Sequence, residues 1–588
     1  MLGSVERSKV YPPQINTEPI HENFPLQDTR CGSPLPRTAR ECARPRKPGL
    51  NVVSKERIAA GGLIHSARRP TIPGSPQSVA DLLAPIVERT PDADALVSRH
   101  ARIRYAELDR QANRAAHTFF SLGLGPGDRI AASIGNHSEL VIALLGAMRI
   151  GAIWVGINRA LAPAEKAYML ADSGARLFLA EPEMAAEIEP IRGNLPDLQQ
   201  IIVAEPGAVD SEWADRLTRA SSEDRPRVEI DPFEPAAIAY TSGTTGRPKG
   251  AVHSQHNMLM PGAVARFVGR SGPDITVGYS LPMTILNVFI LGPILAAQAG
   301  AKCVLMDRNE AVGIAEWIRK EQVVQFASVP ATYHDLLTRP EIAQSDLDSL
   351  RQPGVGGATC PEEFRELFRK RFGLEVQIGF GLTEAPTSVS HTDPKGPSLT
   401  GSSGSALPHV ELAIRSEEDR DVPRGQEGEI CIGPSREGIW ADVYTPMLGY
   451  WNQPEATAEA LRGGWLHTGD IGVMDANGNL YVRDRRSDLI LRGGANVYPA
   501  EVERVLHSDR RIAACAVLGI EDDRLGQRVA AAIQLESDAQ MSAEEIRELC
   551  ASQLARYKVP DRIVFVREFL RNSMRKILKR ELVSLFDS

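Results

Sequence analysis

The chain has 588 residues, enough for about two to four domains, with 43% hydrophobic and 24% charged residues, the balance of an ordinary globular protein. A formal net charge of −8 gives no overall attraction to nucleic acid, which excludes a nucleic-acid partner from the expectations. The seven cysteines (Cys31, Cys42, Cys303, Cys360, Cys431, Cys515 and Cys550) contain no C-x-x-C pair, and predict reduced thiols in a cytoplasmic setting.

Residues 1 to 75 are proline-rich, with twelve Lys or Arg against six Asp or Glu, and no apolar period runs through them. They predict a disordered extension; a start codon assigned too far upstream is the alternative. Met1 to Leu50 holds no apolar core of the length a secretory signal needs. From Ser78 the pattern becomes helical: Val79, Leu82, Leu83, Ile86 and Val87 share a face, with Ser78 and Asp81 placed to cap the start. Beyond it, helical patterns alternate with short apolar runs. "AAIAY" (236–240), "KCVLM" (302–306) and "VVQFASV" (323–329) predict buried strands, and "GIAEWIRKEQ" (313–322) an amphipathic crossover helix. Ile275 to Ala301 carries no charge, yet Pro282, Asn287 and Pro293 interrupt it, so a buried core segment is expected rather than a membrane span. After "YVRDRRSD" (481–488) come "ACAVLGI", "VAAAIQL" and "RIVFV" as strands, with a helix over "SAEEIRELCASQLAR". The expected fold class is α/β. A large domain of layered sheets and helices (76–484) is joined by a short hinge to a small, mobile α+β C-terminal domain (485–588).

One stretch carries chemistry by itself. "YTSGTTGRPKG" (240–250) follows an apolar strand and offers three glycines, several hydroxyls and two cations. Glycines let backbone N–H groups converge on an anion, Thr241, Ser242, Thr244 and Thr245 add donors, and Lys249 adds charge. A polyphosphate suits it, although G-x-x-x-x-G-K-[ST] fails because Gly250 follows Lys249. A plain polar hairpin turn is the competing reading of that stretch alone.

In full, the chain from about 78 to 588 resembles the adenylate-forming superfamily of acyl-CoA synthetases, 4-coumarate–CoA ligases, luciferase and peptide-synthetase adenylation domains. "TSGTTGRPKG" (241–250) resembles the phosphate loop, "GGA" (356–358) the turn bordering adenine, and "GFGLTEA" (379–385) the aromatic-G-x-T-E box. "WLHTGD" (465–470) resembles the ribose-binding motif, "DRRSDLILRGGANVYPAEVE" (484–503) the hinge region, and "NSMRKILKREL" (572–582) the catalytic-lysine segment.

The resemblance implies ATP, Mg²⁺ and CoA as substrates and cofactor. Thr241, Ser242, Gly243, Thr244, Thr245, Gly246 and Lys249 would cradle the phosphates. Gly356, Gly357, Ala358, Gly379, Phe380 and Gly381 would border adenine, with Phe380 stacked on it. Asp470 would accept from the ribose hydroxyls and Arg485 would add a donor. Thr383 would lie by the α-phosphate, Glu384 would hold Mg²⁺, and Lys576 would bridge the carboxylate and the α-phosphate. Gly493 and Gly494 would line the pantetheine tunnel in a second half-reaction, after the small domain turns about a hinge. Two positions depart from the family pattern: Ser487 stands at the hinge where Asp or Lys is usual, and Arg575 precedes Lys576 where Gly is common.

"LPMTILN" (281–287) lacks the acid that amino-acid-activating relatives use, and Met283, Thr284, Ile285 and Leu286 predict an apolar acyl or aryl guest. No carrier module is spelled in the chain, so free CoA is the expected acceptor, with an acyl-AMP ligase loading a separate carrier protein as the alternative. The partners expected are thus a small carboxylic acid and CoA; a homo-oligomer is compatible with the sequence.

Overall fold

The computed structural model describes residues 62–64, 68–241, 247–328, 330–356, 362–373, 375–393, 396, 399–416, 418–485, 490–497, 499–570, 577 and 579–586. The expectation for residues 1–61 lies outside this set.

Described residues before Ser78 already pack against the body of the chain. Leu63 and Ile72 are each only 2% exposed. The Ile64 amide donates to the Leu448 carbonyl at 2.7 Å, and the Gln77 amide group brackets Ile72, accepting from its N–H and donating to its carbonyl. Two isolated aliphatic anchors and one glutamine hold this strap, and isolated anchors leave no period to detect. The cap at Ser78 is as expected: its side chain accepts from the Asp81 amide. Behind it stands a 3₁₀ turn, Val79–Asp81, and then a separate helix, Ala84–Arg89, because Pro85 has no amide to continue the first turn.

Two large sheets form the body. In the seven-stranded one, Pro235–Thr241, Ile153–Gly156, Arg129–Ser133, Leu177–Ala180 and Gln200–Val203 run parallel in that spatial order. Lys249–Ser254 then adds antiparallel to Pro235–Thr241, and Gly449–Tyr450 caps the edge. The nine-stranded sheet has a parallel centre, including Gln352–Val355 beside Gln377–Leu382; Thr387–His391 folds back antiparallel on the latter. Strands buried on both faces read as unbroken apolar runs, which is why "AAIAY" and "KCVLM" were legible. A third, antiparallel sheet of four strands carries Leu466–Met474 beside Leu480–Arg485.

The uncharged stretch 275–301 lies in the core, as expected. Strand Val277–Tyr279 leads through a turn into a helix over Leu286–Ala299, whose middle turn, Ile290–Ile294, is a π-helix around Pro293. Proline lacks the donor an α-turn needs there, and the wider turn accommodates it. Among the described residues no helix is long and apolar enough to cross a membrane.

The small C-terminal domain holds a five-stranded sheet, dominated by the long hairpin Ile512–Asp522 and Gly526–Leu535, with helices Pro499–Leu506 and Ala543–Ala551 against it. It meets the large domain through a buried charge triad. Lys558 Nζ reaches Glu501 Oε1 at 2.8 Å and Glu165 Oε1 at 2.5 Å. Glu165 sits on the large-domain helix Pro163–Ser173, and its other oxygen accepts from the Ala555 amide. Burial raises Glu501 above the usual carboxylate range against the pull of Lys558. Burial also disfavours the Lys558 charge, but Glu501, Tyr557 and Glu165 outweigh it and hold its pKa above the ordinary lysine value.

Candidate active site

The glycine-rich stretch joins two antiparallel strands: Thr241 pairs with Lys249 and Tyr240 with Gly250. The two strands that flank the stretch therefore pair as neighbours in one hairpin. Ser242, Gly243, Thr244, Thr245 and Gly246 lie outside the described residues, between two fixed points. The Thr241 hydroxyl donates to the Lys249 carbonyl at 3.4 Å. The Tyr168 hydroxyl donates to the Pro248 carbonyl at 3.2 Å.

From this hairpin a short segment crosses to the Thr383–Glu384 turn. Leu448 donates to Val252 and Trp451 to Gly250, so residues 448–451 extend the sheet edge. The Met447 amide donates to the Glu384 carbonyl at 2.9 Å, and the Tyr450 hydroxyl donates to Glu384 Oε1 at 2.9 Å. The Lys249 ammonium stands 5.2 Å from the centre of the Tyr450 ring, within reach of a cation–π attraction. Thus Lys249 and Glu384, 135 positions apart, are joined through one tyrosine. Under the turn lies His253, fully buried; burial pushes its ring down to about 4, only partly offset by the Thr383 backbone, and keeps it neutral.

Gly379, Phe380 and Gly381 run along the strand that ends at this turn, paired with His391, Ser390 and Ser388. Phe380 is half-buried against the main core. Gly356 follows the neighbouring parallel strand, and a side chain there would meet open space. Gly357 and Ala358 lie outside the described residues. Residues 356 and 379–384 therefore gather at the carboxyl ends of parallel strands, beside the antiparallel return, where α/β sheets bind ligands.

Asp470 lies on the third sheet, 2% exposed, in register with Arg485. Its amide donates to the Thr468 hydroxyl oxygen at 3.0 Å. The turn before it is organised by a residue the sequence reading missed. Glu429 accepts from the Gly469 amide and from His467 Nδ1, both at 3.0 Å, and pairs with Arg462 at 3.0 Å. Burial opposes its ionisation, but the His467 and Gly469 hydrogen bonds and the neighbouring charges outweigh that and bring it down to about 2. Part of the signal was present in "EGEICIGP": Glu429 stands directly against the apolar run of the strand, whereas Glu427 lies at its exposed start.

Glu429, Cys431 and His467 lie close enough to hold a metal ion, a set of that kind among the described residues. Their ligand atoms bond one another, and Arg462 already supplies a positive charge. The cluster braces the turn before Asp470. Glu384 fits Mg²⁺ better: a hard carboxylate, half-buried, with one oxygen held by a phenol whose ring lies beside Lys249.

The "LPMTILN" segment divides. Met283, Thr284 and Leu286 are buried at 1%, 5% and 5%, whereas Ile285 is 44% exposed and stands apart from them. One side chain fixes the segment: Asn136 donates to the carbonyls of Leu281 and Met306 and accepts from the Met283 amide, all at 3.0 Å. Gly156 makes room for it, since a Cβ there would fall 2.0 Å from the Thr284 carbonyl oxygen. The Thr284 hydroxyl is buried with no hydrogen-bond partner among the described residues.

Gly493 and Gly494 form the exposed turn of the hairpin Ile490–Arg492/Ala495–Val497, at φ +55° and +83°. Two positive φ values in a two-residue connection suit glycine for backbone reasons alone. Ser487 and Lys576 lie outside the described residues. Lys579, three positions further on, is committed elsewhere: its ammonium donates to the Val517 carbonyl at 2.9 Å and pairs with Glu503 at 2.8 Å.

Fold, motif order and the Lys249–Glu384 bridge together define an adenylate-forming acid–thiol ligase. Residues 83–451 match the family model of the AMP-binding enzymes and residues 501–576 that of the AMP-binding enzyme C-terminal domain. The chain belongs to this family. It is 33% identical to the long-chain-fatty-acid–CoA ligase FadD13 of Mycobacterium tuberculosis, over 82% of this chain and 93% of the relative. It is 32% identical to the fatty acid–[acyl-carrier-protein] ligase ScoC of Streptomyces coeruleorubidus, over 85% and 94%. Among solved structures it is similar to the amide bond synthetase McbA of Marinactinospora thermotolerans, with TM-score 0.77, 28% identity, and coverage of 87% of this chain and 99% of that one.

Proposed function

We propose that the chain activates an apolar fatty or aryl carboxylic acid with ATP and transfers the acyl group to CoA. The observation that carries this reading is the bridge from Lys249 through Tyr450 to Glu384, which sets a cation and a metal-type carboxylate on the two turns that would face a triphosphate. In the first step a substrate carboxylate oxygen attacks the α-phosphorus and pyrophosphate leaves. In the second the CoA sulfur attacks the acyl carbonyl, AMP leaves and the thiol proton passes to solvent.

Two anions meet in the first step, so positioning and charge neutralisation carry the catalysis. Lys249 and the hydroxyls of 241–245 hold the phosphates, Thr383 lies by the α-phosphate, and Lys576 bridges the reacting oxygens. Mg²⁺, held by Glu384, would neutralise phosphate charge. Phe380 and residues 356–358 border the base. Asp470, aimed by the Glu429-braced turn, accepts from the ribose. The commitment of Lys579 to Glu503 supports Lys576 as the catalytic lysine. Met283 and Leu286 supply apolar walls for the acid, and the buried Thr284 hydroxyl a polar handle.

A screen of CoA-dependent AMP release across fatty, aryl and dicarboxylic acids tests the reading. Turnover with an apolar acid and CoA supports it; turnover only with dicarboxylic acids refutes the acid class. The likeness to ScoC favours a second reading, transfer to a separate acyl carrier protein. Acid-dependent ATP–pyrophosphate exchange with no product on CoA, but product on a carrier protein, would select it.

A further inference from the structure

The carboxylate of Glu384 is held from outside its own turn, and the hold is built on several points. Tyr450 is paired in the sheet with Ala251, two residues after Lys249. Its backbone amide donates to the Thr457 hydroxyl oxygen at 2.9 Å, and Thr457 donates in turn to the Gln453 carbonyl at 2.8 Å. With its main chain fixed at both faces, the phenol reaches one oxygen of Glu384 at 2.9 Å while the Met447 amide fixes the Glu384 carbonyl. The ring presents its face to the Lys249 ammonium. A cation over a phenol ring draws electron density from it and makes its O–H a stronger donor.

We propose that Tyr450 is a positioning residue for adenylation: its hydroxyl locks Oε1 of Glu384 and would leave Oε2 for the metal ion, and its ring places Lys249. The proposal rests on the assignment of Glu384 to the metal made above. A bound carboxylate that is itself hydrogen-bonded keeps its orientation when the metal arrives, and partners of this kind usually matter 10–100-fold to affinity. The hydroxyl and the ring have separable duties. The hydroxyl acts on metal binding, the ring on the lysine and through it on ATP.

The test uses the full chain with Tyr450→Phe, Tyr450→Leu and Glu384→Gln. Binding of Mn²⁺ with a non-hydrolysable ATP analogue is followed by electron paramagnetic resonance, and acid-dependent ATP–pyrophosphate exchange is measured against free Mg²⁺. Tyr450→Phe should weaken Mn²⁺ binding and raise the half-saturating Mg²⁺ by about 10–100-fold, with the rate at saturating metal within about threefold of the parent. Tyr450→Leu should show the same metal shift and, in addition, a higher KM for ATP. Conversion of supplied acyl-AMP to acyl-CoA should be unchanged in Tyr450→Phe. An unchanged or tighter metal response in Tyr450→Phe, beside a weakened one in Glu384→Gln, overturns the proposal. A rate loss that excess metal does not recover overturns it as well. Intact Mn²⁺ binding in Glu384→Gln overturns instead the metal assignment beneath it. Should Tyr450→Leu fail to fold, Tyr450→Phe, which keeps the ring, still decides.

Discussion

Two histidines in the body of the large domain should make the protein acid-labile well above the pH at which carboxylates titrate. His253 and His409 are 0% and 3% exposed, and burial lowers their rings from the ordinary 6.5 to about 4 and about 3. Both are neutral when folded and take a proton on unfolding in acid. A depressed folded pKa contributes stability that is fully present above 6.5 and is lost as pH falls towards the folded value. At pH 5 the unfolded imidazole is almost wholly protonated while the folded one is not. Each residue then forfeits about 2 kcal/mol relative to pH 8, or about 4 kcal/mol for the pair, and any folded pKa below about 5 gives nearly that figure. Against a total of about 5–15 kcal/mol this is a large fraction. Glu429, held near 2, changes little over this range, because its contribution is lost only as pH falls through the ordinary carboxylate range, whereas Glu501, raised by burial, offsets part of the histidine loss. His256, fully buried and also lowered, adds in the same direction. The assay is urea unfolding at pH 8 and pH 5, for the parent and for His409→Phe, whose ring keeps the edge contacts to Tyr444 and Trp440. The parent should lose stability over this range, and His409→Phe about 2 kcal/mol less than the parent. A flat profile in the parent, or an equal loss in both, would refute the reasoning.

Ile72→Ala should destabilise the folded chain by about 2–5 kcal/mol, read from urea midpoints, since Ile72 is 2% exposed; a change within about 0.5 kcal/mol would mean that the strap before Ser78 contributes nothing. Glu165→Gln removes one of the two carboxylates on Lys558 and should disfavour this domain arrangement by about 1–3 kcal/mol, shifting the ratio of the separately measured half-reaction rates about tenfold; an unchanged ratio counts against it. At Gly493, φ +55° costs a Leu side chain about 1–2 kcal/mol but is accessible to Asn, so Gly493→Asn should keep both fold and ATP–pyrophosphate exchange while CoA-dependent turnover falls about tenfold or more; full CoA turnover would remove this turn from the thiol path.

How much of this was legible in the sequence follows from where the information lies. Strands buried on both faces, such as Pro235–Thr241 and Cys303–Leu305, announce themselves as apolar runs. The motifs that resemble the family are contiguous, so the likeness of "TSGTTGRPKG" and "WLHTGD" needed no structure. What escaped was long-range. Tyr450 reaches across 66 positions to Glu384, and the Lys558–Glu165 pair spans 393. No local period or composition encodes such a contact. Ile285 illustrates the converse limit: the segment was correctly read as apolar, but which of its side chains turn inward depends on Asn136, some 145 positions earlier, pinning the backbone.

If the small domain turns about its hinge between the two half-reactions, as the family resemblance implies, the triad at the domain interface bears on how costly that is. Separating a lone buried ion pair strands a charge on each side and costs several kcal/mol. Here one ammonium serves two carboxylates, and burial keeps Glu501 towards its neutral form. When Glu165 withdraws with the large domain, Lys558 retains Glu501 within its own domain, and Glu501 can ionise fully beside it. The small domain then leaves with its charge balanced, and Glu165 is solvated in the opened interface. The cost of parting falls mainly on the Ala555 amide and on the apolar surface of Ala555 and Tyr557, which pack against the large-domain core, rather than on an orphaned lysine. An interface so built would hold one arrangement without locking it, as the proposed alternation between two half-reactions requires.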